Sequence, residues 1–222
     1  MKRQLSIQLF FFLLVLCPVS AQTCSDEVWE IIEKITQGDI QTLKDYMDNG
    51  GDPAFHCYYG AVSGGHFGGA AYRSIQDAVE MSNSVEIMRT FLSYPLPQSI
   101  LDDLMSSYSY PESDSLNLIT PILIAKGGHV LDPTTFVMVD GEKYIHRLHQ
   151  LNYDLDWVDS LGNSMIMNIA GSSPDADPKI AIAAIRKLLE IGVRTDLVNT
   201  EGYSLKTIPR SGKIRRYIRR RL

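Results

Sequence analysis

The sequence predicts an all-α fold built of stacked helix pairs. Three observations carry that expectation. Apolar residues recur at helical spacing near both ends of the chain, glycine or asparagine stops close the helices, and one helix–cap–turn–helix pattern recurs at an offset of 40 residues.

Ser25 reads as the first N-cap, with Asp26 and Glu27 in the first turn, where a helix N-terminus favours negative charge. Val28, Ile31, Ile32 and Ile35 follow at helical spacing. Gly38-Asp39 makes a turn. Ile40, Leu43 and Met47 then mark a second helix, closed by Asn49-Gly50-Gly51 with Pro53 just beyond. Glycine supplies the left-handed conformation that ends a helix, and proline prevents its continuation. Ser74 to Ser82 and Ser84 to Tyr94 read as a degenerate helix pair.

Further on, Ile145 and Leu148 lead to Asn152. Asp156-Trp157-Val158-Asp159 follows, then Gly162 and Ser164. The same order recurs when Ile182, Ile185, Leu188 and Leu189 stop at Gly192, and Asp196-Leu197-Val198-Asn199 leads to Gly202 and Ser204. Asp159 matches Asn199, Gly162 matches Gly202 and Ser164 matches Ser204. Asn152 stands where Gly192 stands, and asparagine is the next best residue for a left-handed cap.

These residues resemble the ankyrin-repeat family. Gly38-Asp39-Ile40 through Leu43 and Asn49-Gly50-Gly51-Asp52-Pro53 look like a repeat's second helix and exit. Thr120-Pro121-Ile122-Leu123-Ile124-Ala125 resembles the threonine-proline-leucine-histidine opening of a first helix, with Leu123 in the histidine place. Gly162-Asn163-Ser164 and Gly202-Tyr203-Ser204 resemble that opening with serine for threonine. The spacing exceeds the family's 33 residues, which an insertion over Ser172 to Pro178 accounts for. The resemblance implies an ankyrin-repeat solenoid of about four to five helix-pair repeats over residues 22–222. Such pairs bury their apolar faces only against neighbours. It also implies a protein-binding surface on the concave side and turns, with no nucleophile or cofactor.

Residues 1–21 have the layout of a secretory signal peptide. Lys2 and Arg3 precede an apolar run from Leu9 to Leu16, Pro18 breaks it, and cleavage is expected after Ala21. An uncleaved anchor is the alternative, but the run is only about half the ~20 residues a spanning helix needs. A lipoprotein reading lacks the small residue expected before Cys17 or Cys24. The mature chain is then expected in the periplasm of a Gram-negative cell, or secreted. Two cysteines remain, Cys24 and Cys57, either as one disulfide or as two thiols. In a helix pair, the start of the first helix and the exit of the second lie at the same end, which favours a bridge.

Loss of Lys2 and Arg3 takes the net charge from −5 to −7. An acidic body argues against nucleic acid and favours a basic partner. The last segment, 213–222, is the exception. Ile214, Tyr217, Ile218 and Leu222 share one face of a short helix whose other face is arginine-rich. It reads as a capping helix with a solvated basic face, or as a contact for anionic lipid or an acidic partner.

Departures from the repeat pattern locate candidate contacts. The 54–73 insertion is rich in glycine and aromatics and holds Tyr58, Tyr59, His66, Phe67 and Tyr72, the kind of anchors that dominate binding energy. Its glycines lack the Gly-Lys-Ser/Thr of a phosphate loop, and Ser63 lacks the flanks of a nucleophile elbow. A zinc site from His56, Cys57 and His66 lacks a fourth ligand. The polar stretch Ser106 to Ser115 offers Tyr108, Tyr110, Glu112 and Asp114, and Trp157 sits in an inter-repeat turn. His146, His149 and Glu142 share a helix face without a third-element ligand. No cofactor is expected. The leading expectation is an exported protein-binding module, specifically an immunity or inhibitor protein against a periplasm-acting toxin. A periplasmic scaffold supporting oxidant resistance, and an enzyme or metal-binding protein, are the alternatives.

Overall fold

A computed structural model describes residues 24–59, 71–108, 116–131, 133–172 and 177–222. The chain divides into two compact units, Met1–Tyr94 and Pro95–Leu222.

In the first unit, α1 (Asp26–Thr36) starts at Ser25, whose hydroxyl accepts the Val28 N–H. Asp39 caps α2 (Ile40–Asp48) through the N–H groups of Gln41 and Thr42. Gly38 and Gly50 take the left-handed φ values (+97° and +79°) that the turn and the helix exit require. A second pair follows, α3 (Ile75–Met81) and α4 (Val85–Ser93), capped by Ser74 and Ser84 at the serines expected from sequence. Ser74 and Asp77 form a reciprocal capping box. First helices pack on first helices (α1 on α3) and second on second (α2 on α4). Their facing stripes bury Ile35, Leu43, Ile75, Ile87 and Phe91 completely. Each such side chain contributes roughly 1.5–3 kcal/mol of transfer free energy.

Between the pairs the chain makes a two-stranded antiparallel ribbon, β1 (His56–Tyr59) and β2 (Ala71–Ser74), with His56 opposite Ser74 and Tyr59 opposite Ala71. The fold is all-α apart from this small ladder, which the sequence did not announce. Cys24 and Cys57 are disulfide-bonded with their Cα atoms 5.1 Å apart. The bond ties the start of α1 to β1. It also takes the Cys57 thiol, so the zinc reading from His56, Cys57 and His66 falls.

In the second unit, α5 (Gln98–Tyr108) packs on α6 (Leu116–Ala125). The Thr120–Ala125 motif lies in the last turns of α6, with Pro121 inside the helix, and Gly127 follows in the left-handed conformation (φ +84°). It therefore ends a helix rather than opening one. α7 (Pro133–Gln150) breaks at Asp140 (φ −158°, ψ 76°), whose carboxylate accepts the Lys143 N–H and starts a new helical run. Asn152 closes it at φ +56°. α8 (Met165–Gly171) and α9 (Pro178–Ile191) are separated by the expected insertion, and Asp177 caps α9. α9 is also longer than α2, 14 residues against 9, so helix length shares in the surplus spacing. α9 packs on α7, α8 and the terminal α10 (Gly212–Arg221). Ile214 and Ile218 of α10 are buried, whereas Leu222 lies exposed instead of joining them. Among the described residues no helix is long and apolar enough to cross a membrane.

Candidate protein-binding surface

The 40-residue offset read from sequence reappears as geometry in the second unit. Val158 bridges Ser164 and Val198 bridges Ser204, both antiparallel. Asp159 Oδ1 accepts the N–H groups of Leu161 (2.9 Å) and Asn163 (2.8 Å). Asn199 Oδ1 accepts those of Glu201 (3.1 Å) and Tyr203 (2.8 Å). Gly162 and Gly202 sit at φ +78° and +81°. A Cβ on Gly162 would lie 3.3 Å from the Asn199 Cα, so glycine also permits the approach of the next turn.

The two turns are bonded to each other. Asn199 Nδ2 donates to Asn163 Oδ1 at 2.8 Å, with both side chains buried. The Thr200 N–H and hydroxyl both donate to the Leu161 carbonyl, at 2.9 and 3.0 Å. Asp159 Oδ2 accepts from Asn163 and Asn168, which fixes the first turn to α8. On this braced edge Val158, Leu161, Val198 and Tyr203 stay between 39% and 59% exposed. Leu161 and Tyr203 line an open groove of about 570 Å³ together with Asn168, Ile208 and Arg210. Exposed apolar side chains on a rigid edge over a groove can seat a protein segment without reorganising.

The site residues expected from sequence are distributed differently. Tyr58 and Tyr72 are register partners in the ribbon, and Tyr59 pairs with Ala71. His66 and Phe67 lie outside the described residues, as do Tyr110, Glu112 and Asp114. Tyr108 ends α5, and its carbonyl accepts the Thr120 hydroxyl at 2.7 Å. Trp157 is half-buried and stacks on His129, with ring centroids 4.2 Å apart and planes 14° from parallel. His146 and His149 are exposed, and Glu142 pairs with Arg186 at 3.2 Å. Among the described residues no group of three or more His, Cys, Asp or Glu is arranged to hold a metal.

Trp157 belongs to a cluster that sequence reasoning missed. Asp102 Oδ1 accepts the His129 N–H (2.8 Å) and Gln98 Nε2 (2.7 Å), and lies 3.2 Å from His129 Nδ1. Gln98 also donates to the Gly127 carbonyl, and the Tyr153 hydroxyl accepts the Val130 N–H at 3.0 Å. Burial pushes the Tyr153 phenol up to about 12. An aspartate beside a histidine can orient a general base. Here the same carboxylate oxygen grips a backbone N–H and an amide, so the cluster fastens the loop after α6. Gly127-Gly128 was the signal for that loop, but nothing in sequence paired it with Asp102.

No protein-family model matches the chain, and no curated protein matches it in sequence. Among solved structures it is similar to EF0377, an ankyrin repeat protein, at 12% identity and a TM-score of 0.45, covering 85% of this chain and 96% of that one. Helix pairs with left-handed caps, and in the second unit two bridged turns 40 residues apart, define the class of this fold as an all-α protein of repeated helix pairs.

Proposed function

We propose that this chain is an exported protein-binding module whose contact surface includes the turn edge and groove of residues 158–164 and 198–210. One observation carries the reading. Two turns 40 residues apart are hydrogen-bonded to one another and hold exposed Leu161 and Tyr203 at one groove, with exposed Val158 and Val198 on the same turns. The specific form is an immunity or inhibitor protein against a periplasm-acting toxin. The 1–21 leader pattern supports export, and the Cys24–Cys57 bond suits an oxidising compartment. The acidic body supports fast encounter with a basic partner.

The test is capture of a partner from periplasmic extract by the purified chain and by a Leu161→Ser/Tyr203→Ser variant. Both side chains are exposed, so folding is spared while the apolar contact is lost. Capture is expected to fall at least tenfold with an unchanged melting temperature. Equal capture by both proteins refutes the groove. A variant lacking residues 60–70 run alongside assigns the contact to the insertion if it alone fails.

A further inference from the structure

We propose that α10 is a docking surface for anionic lipid headgroups, holding the chain on a phosphate-rich bilayer by charge without inserting into it. The helix presents Lys213, Arg215, Arg216, Arg219, Arg220 and Arg221, all exposed, and residues 202–222 contain no aspartate or glutamate. The ion pairs of lysine and arginine among the described residues are Lys34–Glu30, Arg186–Glu142 and Arg194–Asp196, none of them on α10.

Stability explains only part of these cations. A helix C-terminus favours positive charge, which accounts for Arg219, Arg220 and Arg221, but the N-terminus disfavours it, and Lys213 and Arg215 stand in the first turn. Arg215 with Arg219, and Arg216 with Arg220, are like charges one turn apart, which destabilises a helix. Two of the six have structural contacts. Arg215 donates to the Pro209 carbonyl at 2.6 Å, and Arg221 lies over the Tyr217 ring at 5.7 Å. Lys213, Arg216, Arg219 and Arg220 have no hydrogen bond or ion pair among the described residues.

The form of the patch selects the partner. Ile214 and Ile218 are buried, and α10 packs on α9, so both isoleucines of the helix are spent within the protein and Leu222 alone of the apolar residues stays exposed, beyond the helix. The free face then lacks the buried apolar anchors on which protein interfaces depend. A lipid surface needs only cations at the level of its phosphates, and arginine pairs with phosphate in a fork.

The experiment is co-sedimentation of the full chain with vesicles of phosphatidylcholine, with and without phosphatidylglycerol. Binding is expected only with phosphatidylglycerol, and it is lost as salt rises and screens the charges. Each cation at such a surface multiplies partitioning about fivefold, so Arg216→Gln/Arg219→Gln/Arg220→Gln is expected to bind about a hundredfold more weakly. Its melting temperature should stay close to the parent's, because the favourable charge lost at the helix C-terminus and the like-charge repulsion relieved oppose one another. A control, Lys44→Gln/Arg89→Gln/Lys179→Gln, removes three exposed cations elsewhere and should bind as the parent does. Equal binding to neutral vesicles, equal weakening by the control, or tighter binding to duplex DNA at matched phosphate each overturns the proposal.

Discussion

Removing the amide of Asn199 tests whether the two turns act as one braced edge. Its side chain is buried and makes three hydrogen bonds, two accepted from Glu201 and Tyr203 and one donated to Asn163. In Asn199→Ala the buried Asn163 oxygen loses its donor, which costs about 1–3 kcal/mol, and two backbone bonds are exchanged for water at a further loss. The expected total is about 3 kcal/mol. Asn199→Asp keeps both accepted bonds but sets a carboxylate oxygen against the buried Asn163 oxygen, so near neutral pH it should cost at least as much as alanine. A double-mutant cycle with Asn163→Ala should return a coupling of about 1 kcal/mol. Urea unfolding is best followed by Trp157 fluorescence in a Trp29→Phe background, because each unit holds one tryptophan. An aspartate variant as stable as the parent, or a coupling near zero, would show that the turns are not joined through these amides.

Three further outcomes follow from the same structure. The Cys24–Cys57 bond closes a loop with a sequence separation of 33, so Cys24→Ser/Cys57→Ser should lose about 3–4 kcal/mol by the loop-entropy estimate, with reductant reproducing the loss in the parent; a melting curve indifferent to reductant refutes it. The bond from Thr42 to the Asp39 carboxylate, with the backbone donors of the N-cap, holds that acid below its ordinary range. Its contribution is therefore present above the unfolded-state value and lost as pH falls through the folded one. Asp39→Asn, which keeps a capping oxygen, should differ from the parent near neutrality and converge on it in acid, and a constant difference across the acid limb counts against the cap. Tyr153→Phe strands the Val130 N–H and should cost about 1–2 kcal/mol by denaturant titration. In the parent, the raised phenol value places the alkaline loss of stability between about pH 10 and about pH 12.

Local rules made the ends of the helices legible. Ser25, Ser74, Ser84, Gly50, Asn152 and Gly192 each act where their side chain or backbone freedom suits a helix end, and those preferences need no knowledge of distant residues; Asp39, read from sequence only as part of a turn, proves to be the N-cap of α2. The pairing of Cys24 with Cys57 was legible because helix-pair geometry returns the chain to its starting end. Thr120-Pro121 misled for a physical reason. Proline fits the first turn of a helix, but here it lies inside α6, where the Thr120 hydroxyl bonds the Tyr108 carbonyl across the preceding loop. The proposed contact edge is half visible in sequence. The period of the turns is readable in sequence and Trp157 stands out there by residue type, whereas the exposure of Val158, Leu161, Val198 and Tyr203 is seen only in the structure. A turn's period can be counted in sequence, but the side of it that faces solvent is set by the next turn.

The β1–β2 ribbon has a consequence for engineering and for divergence. Its strands leave and return in register, His56 against Ser74 and Tyr59 against Ala71, and the disulfide anchors one stem to α1. A segment held between such stems enters and exits at one point, so its length and sequence can be exchanged without moving either flanking helix pair. The ribbon is a socket. Foreign recognition sequences grafted between residues 60 and 70 should be carried by an unaltered scaffold, and related chains can be expected to vary most there.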